Sequence, residues 1–127
     1  MDHSKTRDLI DLKTTIFDLI TDLEQIFSRE DERSDLTTVC FFFKRLHAER
    51  IMNHIISKLL PHKKYIENRD LKFFEENSCI FEGLHEDRII HYKTAFVNTK
   101  RISHEDRDII WQYLDVMIQL AESYSTK

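Results

Sequence analysis

One glycine and one proline among 127 residues constrain this chain more than any other feature. β-Sandwiches and barrels turn often, and tight turns draw on residues that accept positive φ or fix φ in advance. With only Gly83 and Pro61 to serve, the expected fold is all-α, with helices joined by short polar links. At this length one core can take up roughly two thirds of the surface exposed by the unfolded chain. A single compact bundle over residues 1–127 therefore needs no covalent staple. Cys40 lies in an apolar run and Cys79 beside Ile80 and Phe81, which reads each as a small buried hydrophobe rather than half of a disulfide.

Periodicity places about five helices. Ser103 to Tyr124 carries the plainest signal: Ile109, Ile110, Tyr113, Leu114, Met117, Leu120, Ala121 and Tyr124 recur at helical spacing. Ser103 is the expected N-cap, and His104-Glu105-Asp106 puts acid at the positive end of the helix dipole. The predicted helix spans about 104–124, and the rest of the chain is expected to cover its apolar side. Leu9, Leu12, Ile16, Leu19, Ile20, Leu23 and Phe27 trace a first helix over about 6–28. The polar run Arg29–Asp35 reads as a mobile link.

Apolar residues from Leu36 to Leu60 reach more than half way round a helix, which predicts one central helix over about 35–60, touched from two sides. Val39–Phe43 alone would also suit a buried strand, but no turn signal bounds it. Pro61 disfavours helical geometry at Leu60, and His62-Lys63-Lys64-Tyr65 reads as a short basic link. Asp70 caps a brief helix over about 70–77, Gly83 reads as a left-handed turn residue, and a helix over about 86–98 leads to the last one.

The chemistry-bearing residues form no familiar constellation. Seven histidines invite a metal, yet no two stand at the i, i+4 spacing of a helical zinc site. Glu82-Gly83-Leu84-His85 is the one Glu-x-x-His unit, where a carboxylate-bridged di-iron bundle needs two. Asp87 and His91, four apart, read as a helix-surface pair. Cys40 is hemmed in by Val39 and Phe41, which disfavours its thiolate, and a single glycine cannot build a phosphate-cradling loop. No catalytic residue, cofactor or metal is expected, and an enzyme is not favoured.

Composition, 41% hydrophobic and 33% charged, is too apolar for disorder and too charged for a membrane span. The opening Met-Asp-His-Ser-Lys-Thr-Arg-Asp lacks the apolar stretch of a signal peptide, so a cytoplasmic or nuclear setting is expected. Residues 1–60 carry 11 acids and 9 bases, and residues 61–127 carry 12 and 10, so each half holds −2. That even spread argues against a nonspecific nucleic-acid binder. Two basic spots, Lys58 with His62, Lys63 and Lys64, and Lys100 with Arg101 and Arg107, are the candidates for phosphate contacts. Phe41, Phe73 and Trp111 flank core-facing positions and are the expected partner-binding aromatics.

Phe73-Phe74-Glu75-Glu76-Asn77, Ile80-Phe81-Glu82-Gly83-Leu84, the stretch Glu105 to Leu114 containing Ile110-Trp111, and Leu120-Ala121-Glu122-Ser123-Tyr124 together resemble small helical proteins of nucleocytoplasmic large DNA viruses. The resemblance covers about residues 73–124 and implies a viral protein of the host-cell cytoplasm or virion, with no catalytic residues to carry over. The expectation is a protein that acts by contact with another protein or with itself, as a virion component, assembly factor or host-protein binder. A nucleic-acid-associated factor using the basic spots is the alternative.

Overall fold

A computed structural model describes residues 3–127, apart from the side chains of His3 and Cys79. The elements are α1 (His3–Ile26), α2 (Glu30–Arg45), α3 (Ala48–Lys58), α4 (Lys63–Glu67), α5 (Lys72–Glu76), α6 (Glu86–Val97) and α7 (His104–Ser125), with 3-10 turns at Leu60–His62 and Cys79–Phe81. There is no strand among the described residues. The fold is an all-α bundle.

Ser103 caps α7 as its sequence requires, its hydroxyl accepting from the Asp106 N–H at 3.1 Å. α7 packs most extensively on α1. Lys127 reaches Asp8 near the start of α1 at 2.9 Å, and Tyr113 donates to Asp22 near its end, so the two helices run antiparallel. Leu12, Ile16, Leu19, Ile20 and Leu23 meet Ile110, Leu114, Met117, Ile118 and Ala121 in a shared core. α3 lies against both. α4 is tied to α7 by Lys63 to Glu122 at 2.6 Å, and the turn that follows α4 by a two-pronged pair of Arg69 with Asp115 at 2.9 and 2.7 Å.

The other side of the core is a run of rings. Phe81 stacks on Tyr92 at 4.0 Å, Tyr92 meets Phe27 edge-on at 5.1 Å, and Phe27 meets Phe96 at 5.7 Å. Phe96 stacks on Phe74, which touches Trp111. Aromatic pairs at these separations add roughly 0.5–1.5 kcal/mol each beyond the area they bury, which lets the very short α5 hold its place.

Several expectations need correcting. The predicted 35–60 helix is two helices, broken at Leu46 and His47, both in extended conformation. Lys13 of α1 donates to the Leu46 carbonyl at 3.3 Å and satisfies part of the break. Nor is that region central, because α1 and α7 form the axis and α2 packs chiefly on α1. Arg29–Asp35 is not a loop: helix begins at Glu30. The basic run from Lys63 is helical as α4 rather than a link. α5 is shorter than the predicted 70–77, although Asp70 does accept from the Lys72 N–H at 3.0 Å.

Gly83 does not take positive φ. Among the described residues the one that does is Arg69, at φ 53°, where the chain leaves α4 and the Asp70 N–H returns to the Tyr65 carbonyl. Cys40 is a free, half-buried thiol, and the Cys79 side chain lies outside the described residues. No helix among the described residues is long and apolar enough to cross a membrane.

Candidate functional site

Two places stand out, one sealed and one open, and both involve α2. In its first turn Glu32 has no exposed surface. Its Oε1 accepts from Arg101 Nη2 and from the Arg29 backbone N–H, the latter at 3.3 Å, and its Oε2 accepts from His91 Nε2 at 2.7 Å. One turn on, Asp35 Oδ2 accepts from Tyr92 Oη at 2.7 Å and Arg88 Nε at 2.8 Å, and Arg88 Nη2 also reaches Asp31 at 2.9 Å. The Arg101 guanidinium lies over the Phe27 ring at 5.2 Å.

Burial alone would push the Glu32 carboxyl up. The hydrogen bonds from Arg101, His91 and the Arg29 N–H, with the charge of Arg101, outweigh it and hold the group below the ordinary carboxylate range. Burial, together with the Asp35 carboxylate beside it, raises the Tyr92 phenol well above its usual value. A carboxylate against an imidazole can orient a general base. Here the carboxylate is sealed from solvent, and what it does is join α2 to α6 and to the link before α7. His91 therefore serves Glu32 rather than Asp87, whose nearest histidine is His85 at 3.7 Å.

The open place lies at the other end of α2. A concavity of about 410 Å³, mostly apolar, runs between Phe42, Phe43 and Leu46 on one side, Arg50, Ile51 and His54 of α3 on a second, and Ile80, Glu82 and Gly83 on a third. That volume falls within the roughly 300–1,000 Å³ usual for ligand clefts. Phe41 and Phe42 stand 59% and 47% exposed beside it. His54 pairs with Glu82 at 2.8 Å on the rim. Arg45 lies over the Phe41 ring at 4.9 Å, while Arg50 and Lys44 carry no ion pair with a described residue.

Of the three aromatics expected to face a partner, only Phe41 is exposed. Phe73 is fully buried and Trp111 is 3% exposed. The buried stripe of α7 runs through Arg107, Ile110, Trp111, Leu114, Met117, Ile118 and Ala121, so Trp111 faces the core and Ile109 turns outward. Phe73 is buried because α5 is enclosed and both of its rings point inward. Phe42 was missed. Three successive phenylalanines cannot all share one face when residues turn about 100° apiece.

The two basic spots are not open cationic patches. Lys63 is paired with Glu122 and Glu67, Lys58 is 3.9 Å from Glu82, Arg101 belongs to Glu32, and Arg107 is 8% exposed and donates Nε to the Phe96 carbonyl. Lys64 and Lys100 remain exposed. Comparison with protein-family models, with curated proteins and with solved structures finds no match.

Proposed function

We propose that this protein works by protein contact rather than by catalysis, and that the groove between α2 and α3 receives an amphipathic helical segment of a partner protein, flanked by acidic residues. The observation that carries this is the pairing of a mostly apolar concavity with the exposed ring of Phe42 in its lining, next in the chain to the exposed Phe41. An apolar helix face laid into such a groove anchors through residues at i, i+3 or i+4, and i+7. The acidic flank follows from Arg50, which lines the groove with no ion pair to a described residue and favours negative charge on the incoming segment. The resemblance of residues 73–124 to small proteins of nucleocytoplasmic large DNA viruses supports a viral setting, with the partner in the host-cell cytoplasm or the virion.

Selection of helical peptides displayed on phage tests this. Retained sequences should share an apolar stripe with adjacent acid and should lose binding to Phe42→Asp and Arg50→Glu variants. A set of binders with no common pattern, or one indifferent to both substitutions, removes the reading. Concentration-dependent dimerisation that Phe42→Asp abolishes would assign the groove to a second copy of the chain and replace it.

A further inference from the structure

Arg107 is a buried cation without a carboxylate. It is 8% exposed, its Nε is committed to the Phe96 carbonyl at 3.0 Å, and its Nη2 is buried with no hydrogen-bond partner. Burying a charge is costly unless an opposite charge or a full set of hydrogen bonds meets it. The same side chain lines a cleft of about 210 Å³ formed with Arg69, Leu71, His104, Asp108 and Trp111.

The two arginines there differ in kind. Arg69 is satisfied by the two-pronged contact with Asp115 and by the Ile66 carbonyl at 3.1 Å. Asp108, the one acid on the cleft, is exposed and accepts from Gln112 at 3.3 Å. Neither carboxylate touches Arg107. His104 and Arg107 belong to the first turns of α7.

We propose that this cleft binds a small oxyanion, a phosphate or a carboxylate, with the Arg107 guanidinium as its principal anchor and the His104 imidazole as a second donor, and with Leu71 and Trp111 forming an apolar wall for the rest of the ligand. The site lies on α7 and the link between α4 and α5, away from the α2–α3 groove, so its fate is independent of the protein-contact reading.

Trp111 is the only tryptophan in the chain and lies on the cleft, which gives a direct signal. Titration of the protein with inorganic phosphate, and separately with benzoate, at fixed ionic strength should change its fluorescence saturably for at least one of the two. Arg107→Gln should weaken that binding at least tenfold, His104→Gln should weaken it several-fold, and Lys64→Gln should leave it unchanged. His104 is exposed, so its variant keeps the test alive should Arg107→Gln not fold. No saturable change with either anion overturns the proposal, as does a response that survives Arg107→Gln or, where that variant does not fold, His104→Gln. Equal weakening by Lys64→Gln, the mark of diffuse charge, also overturns it.

Discussion

In the first turns of α2, Glu32 and Asp35 are held by Arg101, His91, Arg88 and Tyr92, whereas in its last turns Phe41 and Phe42 are about half exposed beside a groove. The two ends use opposite physics. Desolvated charge at the start is tolerated only because each carboxylate has several partners, and it fixes α2 against α6 through long side chains. Exposed ring at the end costs solubility and returns no internal contact of comparable value, which under the proposed function is surface kept for a partner. Under the proposed function, one helix separates anchoring from recognition along its length.

The largest way to break that contrast is at Glu32. Glu32→Ala leaves Arg101 and His91 without their carboxylate and should cost about 3–5 kcal/mol, read from urea unfolding. Phe41→Ser, at the open end, should change stability by no more than about 0.5 kcal/mol. Equal losses at the two positions would mean that the ends of α2 are not different in kind.

Acid provides a smaller version of the same test. The Glu32 carboxyl titrates below its ordinary 4.5 when folded. A depressed carboxyl contributes stability that is present above the unfolded pKa and disappears as pH falls through the folded one. Thermal unfolding should therefore be flat with respect to this group above pH 4.5 and fall below it, and Glu32→Gln should flatten that limb. An unchanged acid limb in the variant would assign the loss to other carboxylates.

Tyr113 sharpens the comparison from a third position, on the α1–α7 axis. Burial, with the Asp22 carboxylate it donates to, pushes its phenol up to about 12 from 10. A raised pKa contributes stability fully present below the unfolded value and lost as pH rises through the folded one. The alkaline decline should begin near pH 10 and be complete near 12 for this group, and Tyr113→Phe should reduce it. A phenol absorbance titration lacking one tyrosine near 12 in that variant would confirm the assignment. A full complement there would remove it.

What the residues disclosed in advance follows the same division. The long stripes of α1 and α7 were readable because they repeat over many turns, and so was the Ser103 cap. The break at Leu46 was not, since no glycine or proline marks it. The signal was a slip in phase: Leu36, Val39 and Phe43 lie on one stripe, while Ile51, Met52, Ile55 and Leu59 lie on another, turned by roughly a third of a circle or more at 3.6 residues per turn. Glu32 was hidden by its polarity. It stands one turn before Leu36 on that first stripe, a place facing the core, but hydropathy assigns a glutamate among acids to solvent. Its partners lie 59 and 69 residues away, beyond any local pattern.

Gly83 is where the open end can be adjusted most gently. Its φ is not positive, and an added Cβ would meet only the Phe42 Cδ1 at 4.0 Å, an ordinary contact. Gly83→Ala should therefore stabilise the fold by about 0.4–1 kcal/mol through the unfolded state, while the new methyl narrows the groove floor against Phe42. Stability and binding then move in opposite directions for one substitution: a higher midpoint in urea with weaker retention of the selected peptides. A residue that only supported the fold would move both together. If the variant gained stability and held the peptides as tightly as before, the groove floor at Gly83 would not be part of the contact surface, and the recognition face would contract to the exposed rings of Phe41 and Phe42.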